Sequence, residues 1–165
     1  MFTHHHSIDP EALRERLVQE HLRLESLFHA VLTAFDADDS EGVTANWTLF
    51  NAQITAHMDA EERLLLPRLA LENPEAAHAL HDEHELIRSR LLELDVGVDL
   101  HLVRCNAARA FIDELRAHAR HEDEMLYDWA DRHLTAEERH VVSESLAPGA
   151  VVRSIRPSAL GEQRV

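Results

Sequence analysis

Two stretches of this chain are near copies of each other. Ala56 to Leu66 and Ala117 to Tyr127 both read A-H-x-x-x-E-(E/D)-x-(L/M)-L-(L/Y). Four residues is slightly more than one helical turn, so His57 and Glu61 project from one face of a helix, and His118 and Glu122 do the same. The flanking residues make that face apolar. Trp47, Phe50, Ile54 and Leu64 continue the first stripe, and Phe111, Leu115, Met125 and Trp129 the second, at spacings of three and four. A carboxylate on a core-facing stripe is costly unless it is paired or holds a metal, and here there are two in matching places.

The rest of the chain predicts the scaffold that carries these stripes. Four Gly and five Pro in 165 residues, with abundant Ala, Leu and Glu, predict an all-α protein of one domain with room for a full core. Asp9-Pro10-Glu11 starts a first helix that runs to about Phe35, with Leu13, Leu17, His21, Leu24, Phe28, Leu32 and Phe35 inward. After a polar loop, Ser40 caps a second helix to about Leu66, where Pro67 begins its end. Asn73-Pro74-Glu75 opens a third helix to about Asp95, whose inner seam is Ala77, His81 or His84, Ile87, Leu91 and Leu94. Val96 to Asp99 reads as a turn, and a long fourth helix follows from about Leu100 to His133. Thr135 and Glu138 form a capping box for a short fifth helix that ends near Leu146. Residues 1–8, including His4, His5 and His6, read as a disordered start, 9–147 as the domain and 148–165 as a tail.

The repeat extends beyond the two motifs. Glu20-His21 resembles Glu83-His84, and His21 precedes His57 by 36 residues where His84 precedes His118 by 34. Two helical hairpins, each with one lone His and one H-x-x-x-E, make an antiparallel up-down four-helix bundle. At about 1.5 Å per residue His21 and His57 sit at nearly the same height, so pseudo-twofold packing gathers His21, His57, Glu61, His84, His118 and Glu122 at mid-bundle. His81 is a further candidate ligand. Four imidazoles and two carboxylates suit iron, manganese or zinc, and six groups exceed one tetrahedral zinc site. If each Glu bridges two ions, an oxo or hydroxo bridge still leaves about two positions open on the pair. On a redox-active pair, those positions take dioxygen, peroxide or nitric oxide.

The formal charge of −15 argues against nucleic acid as a partner. The single Cys105 fits a reducing compartment, no apolar run reaches a membrane span and the N-terminus lacks a signal-peptide core, so a cytoplasmic protein is expected. The tail places Arg153, Arg156 and Arg164 among Val151, Val152, Ile155 and Leu160, and reads either as a loose end or as a peptide that docks on a protein partner.

From His21, H57-x-x-x-E61, His84 and H118-x-x-x-E122 in that order, the chain resembles the hemerythrin-like, or HHE cation-binding, family over about residues 9 to 134. The resemblance implies a hemerythrin-like four-helix bundle whose ligands at these positions hold a non-haem pair of iron ions. Ferritin-like bundles use Glu-x-x-His instead. Oxygen-carrying hemerythrins have two His four apart on the third helix and an Asp on the fourth; here His81 and His84 are three apart and the fourth helix carries Glu122. The set is closer to di-iron proteins implicated in repairing iron centres, whose cysteine-bearing N-terminal domain has no counterpart in this sequence. A small-ligand binder or sensor, an oxidoreductase acting on nitric oxide or peroxide, and an iron store or donor are the functions that follow.

Overall fold

The computed structural model describes residues 10–99 and 105–146. The expected N-cap at Asp9, the disordered start, the start of the fourth helix at Leu100 and the tail lie outside the described residues. Helix α1 spans Pro10–Asp36, α2 Ser40–Leu64, α3 Leu66–Glu72, α4 Pro74–Asp99 and α5 Cys105–His121. A π-helical turn, Glu122–Tyr127, continues α5 into α6, Asp128–His133, and α7 spans Ala136–Ser145. The described residues are all helical with no strand, as the composition predicts.

Helix α1 packs on α2 and α5, and α4 packs on the same two, which closes a ring of four. Two apolar clusters set the direction of each helix. One contains Leu24 and Phe28 of α1, Trp47 and Ile54 of α2, Ile87 and Leu91 of α4, and Phe111 and Ile112 of α5. The other holds Leu13 and Leu17 of α1, Leu65 beyond α2, Ala77 and Leu80 of α4, and Leu126 after α5. Along α1 and α4 the chain runs from the second cluster to the first, and along α2 and α5 it runs back. This is the antiparallel up-down bundle that hairpins with short connections produce. The two clusters leave a layer between them, and the polar residues of the repeated motifs fill it.

Three local expectations are corrected. The second helix is capped by Asp39 rather than Ser40: the Asp39 carboxylate accepts from the Gly42 N–H at 2.9 Å. Asp38 turns the chain there with φ 56°, a left-handed conformation that Asp tolerates. The second helix does end just before Pro67, at Leu64, and Pro67 sits in the first turn of α3, whose Leu66 and Leu69 are buried. Val96 to Asp99 is not a turn: α4 continues through it, and Val98 packs into the first cluster, which outweighs the ~1 kcal/mol helix penalty of Gly97. The stripe of the fourth bundle helix also shifts after Glu122, burying Leu126 and Tyr127 where the 3.6-residue period expects Met125. The capping box holds as expected, with Glu138 N–H donating to Thr135 and the Glu138 carboxylate accepting from the Thr135 N–H at 2.8 Å.

Candidate metal centre

Each of the four bundle helices brings its motif to the same level, between two apolar clusters. His57, Glu61, His84, His118 and Glu122 are buried, and His21 is nearly so. The six groups divide into two sets around the two glutamates. In one set, His21 Nε2 lies 3.2 Å from His57 Nε2 and 3.1 Å from Glu122 Oε2. Glu61 Oε1 lies 3.5 Å from His57 Nε2. In the other, His84 Nε2 and His118 Nε2 lie 3.0 and 2.9 Å from Glu122 Oε1, and Glu61 Oε2 lies 3.5 Å from His84 Nε2. Both carboxylates therefore span the two sets, one oxygen to each.

Hydrogen bonding alone does not account for this convergence. His21 Nε2 carries one proton or one lone pair, yet three polar atoms, His57 Nε2, Glu122 Oε2 and Tyr127 Oη, lie within 3.2 Å of it. Buried Glu61 Oε2 and His118 Nε2 have no hydrogen-bond partner; the 2.9 Å approach of His118 to Glu122 is a charge contact whose angles are not those of a hydrogen bond. Orphaned buried acceptors and donors are costly, and a cation at the focus of each set relieves them. Separations of about 3 Å are also those of neighbouring ligand atoms that each sit about 2.1 Å from one ion. His21, His57 and Glu122, and likewise His84, His118 and Glu122, are each arranged as a potential cation site. The donor set fits two ions sharing two carboxylates.

A ring of carboxylates orients the imidazoles. His84 Nδ1 lies 2.9 Å from Glu62, which Arg88 holds in turn at 2.7 Å. His118 Nδ1 lies 2.7 Å from Glu83, and His21 Nδ1 lies 3.2 Å from Asp123. With Nδ1–H engaged in this way, Nε2 is left as the ligand nitrogen. His57 Nδ1 has no such partner.

The electrostatics are those of a site that holds either protons or a cation. Burial pulls the His21 imidazole down, but Asp123 and Glu122 outweigh it and raise it to about 10. His118 is likewise raised to about 9 by Glu122 and Glu83 against the cost of burial. Glu61 is pushed up to about 7 by burial and by the Glu122 charge. Glu122, despite complete burial, is held well below the usual range by the imidazoles of His118, His21, His57 and His84. Glu62 is lowered too, Arg88 and His84 outweighing its partial burial.

His81 is the one sequence-expected candidate that does not join the cluster. It lies on the exposed face of α4, while His84, one turn later, is completely buried. Glu83 and Tyr127 join the site without having been expected from the sequence. Tyr127 donates its hydroxyl to Glu61 Oε1 at 2.7 Å. In an α-helix a residue five beyond Glu122 points about 140° away. The i→i+5 turn of Glu122–Tyr127 stacks the two on one side. A π-helical turn leaves no composition signal, whereas Glu83 was legible as the carboxylate beside His84 in the repeat.

Among the described residues no helix is long and apolar enough to cross a membrane. No curated protein and no solved structure matches the chain. The model of the hemerythrin HHE cation-binding domain matches residues 12–130, which include all six clustered residues. The fold, the donor set and this match agree: the chain belongs to the hemerythrin HHE cation-binding family.

Proposed function

We propose that this protein is a non-haem di-iron protein that binds or senses dioxygen, nitric oxide or a peroxide. His21 and His57 on one side and His84 and His118 on the other would hold the two iron ions, with Glu61 and Glu122 available to both, and an oxo or hydroxo bridge would complete the pair. The observation that carries this reading is the division of each glutamate, one oxygen to each imidazole pair. Iron supplies electrons and open positions for a small ligand. The chain supplies the rest. Asp123, Glu62 and Glu83 hold three imidazoles by Nδ1, Glu122 balances their charge, and the two apolar clusters keep bulk water from both ends of the layer.

Reduction of nitric oxide or peroxide is a second reading, supported by Tyr127, whose hydroxyl donates to Glu61 Oε1 at 2.7 Å and lies 3.1 Å from His21 Nε2. Burial and the neighbouring Glu61 hold this phenol well above its usual range, so it is a neutral donor at neutral pH. Stopped-flow spectra of the reduced protein mixed with each ligand separate the readings. A reversible adduct supports binding or sensing, rapid irreversible oxidation with loss of the ligand supports reduction, and iron release to an acceptor without either supports a store or donor.

A further inference from the structure

A cavity of about 370 Å³ lies between α1, α2 and α5, against the metal layer. Its body is apolar: Leu24, Phe28, Phe50, Ile54, Ile112 and Leu115 line it. His21, His57 and His118 form its inner wall, and its rim at the surface is Leu22, Glu25, Arg116 and Arg120. The volume is far more than a diatomic gas needs. An apolar protein cavity of about 150 Å³ takes a benzene molecule, so this one takes an organic molecule of about a dozen heavy atoms.

The rim says which kind. Arg116 is occupied by Glu25, its Nε donating at 3.0 Å. Arg120 makes no hydrogen bond or ion pair among the described residues, so it is the unmatched cation at the mouth. The inner wall offers no comparable charge to an anion, because Glu122, Asp123 and Glu83 already balance His21 and His118. We propose that this cavity is a binding site for an amphiphilic carboxylate, an aliphatic chain of about ten carbons in the apolar chamber with its head group on Arg120. The site rests on the chamber and its rim, not on the identity of the metal. An occupant fills the space in front of His21, His57 and His118, and so competes with small ligands for access to the centre.

Titration calorimetry of the purified protein with decanoate below its micellar concentration, with and without prior chelation of metal, tests this. One decanoate per chain is expected in both preparations, with affinity falling about fourfold for each methylene removed down to hexanoate. Arg120→Glu is expected to weaken decanoate about tenfold or more and to favour decylammonium instead. Leu115→Trp, at a half-buried position of the lining, is expected to abolish binding of both. Ile54→Phe, a smaller filling from the opposite wall, provides the same test should the tryptophan disturb the fold by circular dichroism. Absence of saturable binding, affinity independent of chain length, or binding unchanged in folded filling variants would overturn the proposal. If decanoate binds only the metal-loaded protein, its head is on the metal and not on Arg120, which also overturns it.

Discussion

Glu61 and Glu122 occupy equivalent places in the repeat but are not equivalent in their surroundings. Glu122 faces four imidazoles and is held ionised, whereas Glu61 is pushed up to about 7 by burial and by Glu122 itself. After chelation of metal, Glu122→Ala leaves buried imidazolium without its counter-charge and is expected to cost about 3–5 kcal/mol, measured by urea denaturation. Glu61→Ala removes a carboxyl that is largely protonated at mildly acidic pH, and is expected to cost less there. Equal losses in the two variants would count against this asymmetry. Glu83→Ala frees His118 Nδ1 and is expected to weaken metal binding about 10- to 100-fold in a competition assay, while exposed His81→Ala leaves it unchanged. A loss of metal in the His81 variant would restore it as a ligand. His57, Glu61, His118 and Glu122 were legible because H-x-x-x-E on an apolar stripe puts a carboxylate into the core, where only a paired charge or a metal offsets its burial, and His21 and His84 followed from the wider repeat. His81 was ambiguous because positions three apart on a helix lie within one broad face, and only packing decides between them.

Among the elements, what the sequence showed least was how helices end and where their period breaks. Start signals were local and readable: Pro74, and Thr135 with Glu138, mark true starts. Asp39 rather than Ser40 caps α2, because only one of two adjacent cap residues can reach the first free N–H groups. Asp39→Ala is expected to lower the melting temperature by the equivalent of about 1 kcal/mol without changing metal content. The π-helical turn is a longer-range effect, since it brings Tyr127 over the site and is held by contacts with Glu61 and His21 from other helices. Tyr127→Phe keeps the ring packing, so the protein should fold and bind metal, with stability lower by about 1 kcal/mol and an altered absorption spectrum. An unchanged spectrum would show that the hydroxyl does not influence the centre.

At the scale of the whole molecule, a polar layer divides the bundle core, and the same groups set its pH response. In chelated protein His21 and His118 keep protons to about pH 10 and 9, above the 6.5 of an unfolded histidine. That stability is complete below pH 6.5 and is lost as the pH rises through 9 to 10. Glu61 adds a loss in the same direction between 4.5 and about 7. Glu122 acts oppositely, its contribution present above 4.5 and lost on acidification. The melting temperature of chelated protein should therefore fall from neutral to alkaline pH. Metal affinity should rise over the same range, because each ion displaces those protons. A flat melting profile would mean that the imidazoles titrate normally. The most direct test is the number of irons bound per chain after anaerobic loading and desalting, with Mössbauer spectra to report their coupling. Two coupled irons in the native protein and in His81→Ala, and an uncoupled remainder of one or fewer in Glu122→Ala, are expected. One iron per chain, or two that stay coupled without Glu122, would contradict a centre built on shared glutamates.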